Sequence, residues 1–400
     1  MNLMRKKLFV LIIFLVITIF GKAQSWEPVG GGLLLPDSAY DPTTYALCVY
    51  KDKLYAGGAF LFAGDKKVNY IACWDGSKWD TVGSGMNGTV KALCVYKGQL
   101  YAGGNFTKAG GKRANRIAKW DGKKWMPLGN GVHSGNYDIK GEDICIRSLC
   151  IYRNELYACG DFMYAGDNKA NCIAKWDSLH WSRVGKPLNG GNYSSEGAGI
   201  DYRSLSMIAY EGKLYVGGYI MWAGDLKLNL ARYNGQKFDS VPGVINRQDS
   251  IPPIYPIGVY KGKLLVAIGG FYIRGKKFKG MVQWNDTAWS DFSGEMKGQP
   301  KGYMSFGQPG VICIDSNNLY VGGTFSKIGG IEANNIAMWN GTSWQILGEG
   351  LDIGNLHPKL HMTLAVSSLA IYKGYLYAGG YFNDTRGKPL YHIARWKLDK

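Results

Sequence analysis

The chain has 400 residues, of which 46% are hydrophobic, and this is enough to bury a large core. Its formal net charge is +17, yet the lysines mostly stand singly or in pairs at predicted turns, and the sequence contains no basic helix and no nucleic-acid-binding motif. We therefore exclude nucleic acid as a partner and interpret the charge as solvated turns, with an electrostatic site for another partner as the open alternative.

The first 23 residues have the layout of a secretory signal peptide. Three basic residues precede the apolar run Leu8–Phe20, and small residues stand before a cleavage point at Gln24. The run has 13 residues, whereas a membrane-spanning helix needs about 20. We predict a signal peptide at 1–23, a single domain at 24–400, no membrane span after cleavage, and a secreted, periplasmic or extracellular location.

A Leu-Tyr-x-Gly-Gly motif or a close variant recurs seven times, with steps of 46 to 58 residues. A repeat of this length is typical of solenoids and propellers, in which one small unit is stacked many times. The motifs begin at Leu54, Leu100, Leu156, Leu214, Leu264, Leu319 and Leu376.

Each repeat is interpreted as four short strands. In the second repeat, tight turns at Lys97-Gly98 and Asp121-Gly122 connect the strands in pairs, and a polar Gly-rich loop, Thr107 to Asn115, separates strand two from strand three. The four predicted strands are 92–96, 100–106, 116–120 and 124–128. Four antiparallel strands repeated at this period predict the blade of a β-propeller.

Large aromatic residues confirm the register, because strands three and four each carry one of them, five residues apart. The pairs are Trp74/Trp79, Trp120/Trp125, Trp176/Trp181, Tyr233/Phe238, Trp284/Trp289 and Trp339/Trp344. The seventh repeat ends after Trp396, and the segment Ser25–Gly30 matches the missing fourth strand. The sequence therefore predicts an all-β, seven-bladed propeller of four-stranded antiparallel blades, closed by the N-terminal strand. The paired rings are interpreted as packing between blades, and the Gly-Gly doublets as points of close backbone approach.

These motifs resemble the kelch repeat: Tyr-Lys-Gly-x-Leu-Tyr, then Gly-Gly, then Trp-Asp-Gly-x-x-Trp-x-x-Leu. The elements at Ala109–Gly111 and Ala114–Trp120 are similar to the secreted or surface propellers related to the fungal cortical cell-polarity marker family. The resemblance extends from Trp26 to Trp396 and implies a fold more than a function. The galactose-oxidase-type relatives carry a copper site of Tyr, His and a Tyr–Cys crosslink; no such set is found here, so we expect no cofactor.

The eight cysteines indicate packing more than chemistry. Cys48, Cys94, Cys150 and Cys313 share one repeat position and are expected to be buried thiols in a core strand. Cys159 and Cys172 flank a predicted hairpin and are candidates for a disulfide. No CxxC spacing is present, so we expect no metal site.

A candidate binding surface follows from the loop lengths. The segments after strand four are mostly long, and strand alternation places them on the same face as the loops between strands two and three. Acids, tyrosines, histidines and the one unpaired tryptophan in these loops are the candidate ligand-binding residues, with structural loop packing as the alternative interpretation. They are Tyr137, Asp138, Glu142, Asp143, Tyr193, Glu196, Asp201, Trp222, His357 and His361.

The sequence therefore favours a monomeric, non-catalytic binding or scaffold protein whose partner is a protein or glycan of the cell envelope or exterior. No catalytic residues are assigned. The alternative is a carbohydrate-active hydrolase or lyase that uses the loop carboxylates, since a glycosidase needs two of them at a set separation.

Overall fold

The structure is a computed structural model that describes residues 24–36, 42–135, 144–170, 172–185, 206–218, 229–244, 254–273, 276–299, 307–316, 318–353, 364–385 and 387–399. These residues form strands and turns without any helix. Seven four-stranded antiparallel sheets make up the framework of the described chain. We number them sheet 1 to sheet 7 in chain order.

In sheets 1 to 6 the four strands follow one another in the chain and lie side by side in the same order. Sheet 1 has Thr43–Tyr50, Lys53–Ala59, Ile71–Trp74 and Trp79–Thr81; sheet 2 has Val90–Tyr96, Gln99–Gly104, Ile117–Trp120 and Trp125–Pro127; sheet 3 has Cys145–Tyr152, Glu155–Asp161, Ile173–Trp176 and Trp181–Arg183. Sheet 4 has Ser206–Tyr210, Lys213–Gly217, Leu230–Tyr233 and Phe238–Ser240; sheet 5 has Ile254–Tyr260, Lys263–Ile273, Lys276–Trp284 and Trp289–Asp291; sheet 6 has Gln308–Asp315, Asn318–Thr324, Ile336–Trp339 and Trp344–Ile346.

Sheet 7 combines the two ends of the described chain. Its first three strands are Ser368–Tyr372, Tyr375–Gly379 and Ile393–Lys397, and its fourth is the N-terminal strand Glu27–Pro28. The register pairs Glu27 with Arg395 and Pro28 with Ala394. The predicted pairing of the N-terminal segment with the last strand is therefore confirmed.

The sheets pack against one another in chain order. The first strand of each sheet contacts the first strand of the next, and the first strand of sheet 7 contacts that of sheet 1. The buried side chains form seven core clusters in the described chain, each drawn from two neighbouring sheets. One of them joins Trp74 and Trp79 of sheet 1 to Tyr377 and Ile393 of sheet 7. The core therefore lies between the sheets, because each short sheet is apolar on both faces.

The paired rings pack as predicted. Trp74 and Trp79 lie 5.2 Å apart between ring centroids, and Trp120 and Trp125 lie 5.3 Å apart. The indole N–H of Trp79 donates to the carbonyl of Val29, which directly follows the N-terminal strand of sheet 7, and that of Trp26 donates to the carbonyl of Leu347, which directly follows sheet 6. These rings fill the space between two sheets, and Trp26 and Trp79 each use the indole N–H to bond the neighbouring repeat.

Tyrosines at the ends of the first strands link neighbouring sheets at the opposite end of the strands. Each donates its hydroxyl to a carbonyl in the tight turn between strands one and two of the next sheet. The bonds are Tyr50 to Gly98, Tyr96 to Asn154, Tyr152 to Gly212, Tyr210 to Gly262 and Tyr372 to Asp52, with lengths of 2.7 to 3.1 Å. In sheet 6 the equivalent residue is Asp315, which pairs with Asn318 across the turn.

The Gly-Gly doublets lie at points of close approach, as predicted. A Cβ atom on Gly103 would be 2.6 Å from a methyl group of Ile146 in sheet 3, and one on Gly104 would be 2.0 Å from the carbonyl oxygen of Thr89. The first glycine therefore admits the neighbouring sheet and the second admits the first strand of its own sheet.

The prediction that residues 107–115 form an irregular loop is wrong. It forms a small hairpin of Lys108–Ala109 and Lys112–Arg113. Other repeats have the same hairpin between strands two and three: Phe62–Ala63 with Lys66–Lys67, Tyr164–Ala165 with Asn168–Lys169, Lys327–Ile328 with Ile331–Glu332, and Asp384–Thr385 with Lys388–Pro389. Two-residue strands are too short to give a periodic sequence signal.

Short strands in the segments after strand four complete these hairpins. Leu33–Leu34, Val132–His133 and Met296–Lys297 each pair with the hairpin of the following sheet. The segments that join the sheets and the hairpins therefore share one face of the molecule, which we call the long-loop face.

Candidate functional site

The ten ligand-binding residues predicted from the sequence all lie outside the described residues. They are Tyr137, Asp138, Glu142, Asp143, Tyr193, Glu196, Asp201, Trp222, His357 and His361. The surface to which they were assigned, the long-loop face, is described in part, and its geometry is clearest between sheets 2 and 3.

A cleft of about 480 Å³ opens on the long-loop face at this junction. The hairpin of the second repeat and the turn after it contribute Arg113, Asn115 and Arg116, and the segment that leads to sheet 3 contributes Asn130 and His133. The volume is in the range of small-molecule sites. Arginines and amides can recognise polar ligands through several hydrogen bonds at once.

His133 forms one rigid wall of this cleft. Its ring stacks on Tyr164 with 5.3 Å between centroids and 8° between planes. Its Nδ1 accepts the backbone N–H of Gly135 at 3.0 Å, and its Nε2 lies 2.9 Å from the carbonyl oxygen of Gly166. Because a carbonyl only accepts, these contacts assign the donor role to Nε2 and the acceptor role to Nδ1.

The amide side chains of the cleft also have structural partners. Asn115 donates to the carbonyl of Asn130 at 2.8 Å, and Asn130 donates to Asp167 of the sheet 3 hairpin at 3.3 Å. These bonds hold the segment after strand four against the cleft, so the site is preformed.

A group of charged and polar side chains lies at the ends of strands one and two that face the long-loop side of sheets 2 and 3. We call Lys91, Cys145, Arg147 and Asp161 the polar network. Arg147 binds one carboxylate oxygen of Asp161, with its Nε at 2.7 Å, and the Cys145 thiol donates to the same oxygen at 3.1 Å. The side chain of Asp161 is 9% exposed. Arg116 reaches from the cleft to the carbonyl of Ile144, which precedes the network.

Burial dominates the protonation of this network. It raises the pKa of Asp161 above its ordinary value, and the positive charges of Arg147 and Lys91 oppose that rise. Burial also raises the pKa of the Cys145 thiol to about 11. Cys145 is therefore a protonated hydrogen-bond donor at neutral pH, which is unlike a nucleophile or a metal ligand.

Two β-bulges bring the cations of the network into position. The registers of the first strands shift at Lys91 in sheet 2 and at Arg147 in sheet 3, the same repeat position that Tyr45 occupies in sheet 1. A bulge changes the direction of one side chain. Lys91 points its ammonium towards the ring of Tyr45, 5.8 Å from the centroid.

Sequence reasoning missed Lys91 and Asp161 as site residues. Arg147, which the sequence analysis does not assign to the site, binds Asp161 at the end of strand two. The sequence did contain a signal for Asp161, because the residue type varies at one position directly after the repeated Gly-Gly motif. The residue after the Gly-Gly doublet is Ala59, Asn105, Asp161, Thr324 or Tyr381 in different repeats, although the motif around it hardly changes.

The cysteines differ in part from expectation. Cys48, Cys94, Cys150 and Cys313 pack against the inter-sheet clusters but are only partly buried. The candidate disulfide is not formed, since Cys159 and Cys172 are both free. Cys159 is in register with Ile173, so Cys172 is offset by one position from its cross-strand partner.

No cluster of three or more metal-ligating side chains occurs among the residues that the structure covers. Within that same part of the chain, no helix is long and apolar enough to cross a membrane.

No known family profile and no curated protein matches the sequence. Solved structures do match. The extracellular domain of the proposed one-component system BT4673 from B. thetaiotaomicron superposes with a TM-score of 0.50 and 12% identity, as does that of the proposed hybrid two-component system BT4673. The alignments cover 94% of this chain and 40% of each neighbour, so the chain spans less than half of their length. At this identity the likeness concerns the fold alone.

Proposed function

We propose that residues 24–400 form one extracellular seven-bladed β-propeller that binds a ligand on its long-loop face without chemical turnover. The propeller is supported by the order of the inter-sheet contacts and by the hydrogen bonds of Trp26 and Trp79, which link sheet 7 to both of its neighbours. The observation that carries the binding function is the preformed polar cleft beside sheets 2 and 3.

The difference between the two ends of the strands supports this choice of face. The tight turns at one end repeat the same contacts from sheet to sheet, such as the tyrosine hydrogen bonds. The long-loop face contains the segments of variable length and the side chains that differ between repeats. Binding sites usually occupy variable loops on a rigid framework.

The extracellular location has two supports. The first 23 residues have the layout of a signal peptide, and the two structural neighbours are extracellular domains. Because the chain spans 40% of those neighbours, only their location, and none of their signalling, is proposed for it.

The contacts of the Asp161 carboxylate favour binding over catalysis. A glycosidase pairs two carboxylic groups across the scissile bond. Asp161 instead gives one oxygen to both Arg147 and Cys145, and such a fixed ion pair serves positioning better than proton transfer. The alternative, hydrolysis or elimination by the loop carboxylates, is separated from binding by a turnover assay.

The test is a binding screen of the mature protein against glycan arrays and envelope proteins, followed by calorimetry and a turnover assay on each hit. Arg113→Ala removes an exposed cation from the cleft and should weaken binding about tenfold. Lys123→Ala, an exposed lysine in a tight turn at the other end of the strands, is the matched control and should leave affinity unchanged.

The opposite pattern, in which Lys123→Ala weakens binding and Arg113→Ala does not, would contradict the choice of face. Turnover of a bound glycan would contradict the non-catalytic function and favour the hydrolase or lyase.

A further inference from the structure

We propose that the ligand is a carbohydrate. Its hydroxyl groups bind Asn105, Asp161 and Lys91, at the ends of strands one and two of sheets 2 and 3 that adjoin the long-loop face. This inference rests on the proposed function and names the ligand class and the binding residues.

Two buried oxygen atoms in this region are hydrogen-bond acceptors without a donor in the described part of the chain. The Oδ1 atoms of Asn105 and Asp161 are both buried, and neither has a hydrogen-bond partner within the described ranges. Buried acceptors are normally paired, because removing one from water without a partner is unfavourable. Two such atoms therefore mark positions where a donor from outside the described residues fits, and the proposal assigns a ligand hydroxyl group to each.

The two atoms lie at one repeat position on neighbouring sheets. Each residue follows a Gly-Gly or Cys-Gly doublet at the end of strand two, in sheet 2 for Asn105 and in sheet 3 for Asp161. In sheet 6 the same position is Thr324, whose hydroxyl accepts the N–H of Ala365 at 2.9 Å. The chain satisfies this position internally in sheet 6, whereas no described residue does so for the Oδ1 atoms in sheets 2 and 3.

Donors stand beside the acceptors. In sheet 3 the bulge residue Arg147 touches Asp161, and in sheet 2 the bulge residue is Lys91. Lys91 also lies near enough to sheet 3 to affect Asp161 electrostatically. The Tyr45 ring, which faces the Lys91 ammonium, adds an aromatic surface beside these donors.

The presence of both a carboxylate and two cations in this region favours one class of ligand. A simple anion would meet the Asp161 carboxylate, and a simple cation would meet Lys91 and Arg147. A hydroxyl group both donates and accepts, so a molecule with several adjacent hydroxyl groups can serve Asn105, Asp161 and Lys91 together. Carbohydrates present such groups at fixed spacing.

The experiment measures oligosaccharide binding by calorimetry and thermal stability by calorimetric scanning for four variants of the mature protein. Asn105→Ala and Lys91→Met should each weaken binding about five- to tenfold. The melting temperature of Asn105→Ala should stay unchanged or rise, because the variant removes an unsatisfied buried acceptor. Asp161→Asn is avoided because it would break the ion pair with Arg147.

Two substitutions of the same type serve as controls. Lys112→Met alters an exposed lysine on the neighbouring hairpin, and Asn87→Ala alters an asparagine whose side chain is hydrogen-bonded to Thr107 and Lys108. Both should retain the wild-type affinity for the oligosaccharide, and Asn87→Ala should lower the melting temperature.

Unchanged oligosaccharide binding in both Asn105→Ala and Lys91→Met would overturn the inference. A lower melting temperature for Asn105→Ala with normal binding would show that a structural water satisfies the oxygen, and it would overturn the inference too. If the wild type binds an envelope protein and no carbohydrate, this inference fails while the proposed function stands. If it binds neither, both fail.

Discussion

At the scale of single residues, glycine is required where two backbones meet. Gly104→Ala should be the more damaging of two neighbouring substitutions, because the obstacle 2.0 Å away is a backbone carbonyl, whereas Gly103→Ala meets a movable methyl group at 2.6 Å. We expect about 1–3 kcal/mol of destabilisation for Gly103→Ala and more for Gly104→Ala, measured by urea denaturation.

A third glycine provides the comparison. Gly111 has φ of +77° but no atom within 4 Å of an added Cβ, so Gly111→Ala should cost only the backbone strain, about 1–2 kcal/mol. Equal effects for Gly104→Ala and Gly111→Ala would show that conformation rather than space explains the doublets.

The cysteines offer a second test at this scale. Burial raises the pKa of Cys94 to about 12 and those of Cys48, Cys150 and Cys313 to about 11. Few thiolates therefore exist at neutral pH, and native thiols should react slowly with a disulfide reagent. The unfolded mature protein, prepared without reductant, should titrate eight thiols; six would indicate a disulfide.

At the scale of the element, the turn between strands three and four is built on a side chain. Asp121 accepts the backbone N–H groups of Lys123 and Lys124 at 2.7 and 2.8 Å, and the N–H of Lys124 is the main reason that the pKa of this carboxyl lies below its ordinary value. Asn234, Asn285 and Asn340 make the same turn with an amide oxygen.

These contacts predict a pH effect. A lowered folded-state pKa stabilises the fold above the ordinary aspartate pKa, near 4, and this stabilisation is lost as the pH falls through the folded-state value. Asp121→Asn should keep the turn and reduce the acid sensitivity, while Asp121→Ala should lose stability at pH 7. Denaturation at pH 7 and pH 3 measures both; an unchanged pH profile in Asp121→Asn would contradict the assignment.

The elements also show what a sequence can and cannot predict. The strands around Leu100 and Trp120 were predictable because a repeated motif reports the same local environment seven times. The hairpin Lys108–Ala109 with Lys112–Arg113 was not, since it is stabilised by pairing with other segments, such as the bridge from Met86 to Ala109. Asp161 escaped prediction because its role depends on a bulge that turns Arg147 towards it.

At the scale of the whole molecule, the N-terminal strand connects sheets 6 and 7. Trp26 is 3% exposed, packs 5.5 Å from Trp396 and bonds Leu347 of sheet 6. Trp26→Ala should therefore cost about 3–5 kcal/mol in the free energy of unfolding. Glu27→Gln alters the adjacent, half-exposed partner of Arg395 and should cost at most about 1 kcal/mol. Similar small effects for both variants would show that the pairing is dispensable.

Sheet 6 has Asp315 at the position where the other first strands end in tyrosine, and this leaves one tight turn without the tyrosine hydrogen bond that five others accept. A phenol donates a hydrogen bond to the adjoining turn at five of the described junctions, and a carboxylate has no proton to give. The tight turn between the first two strands of sheet 7 therefore lacks this bond from its neighbour, and its backbone amides should exchange with solvent faster than those of the turns that accept one. Equal exchange rates would contradict this.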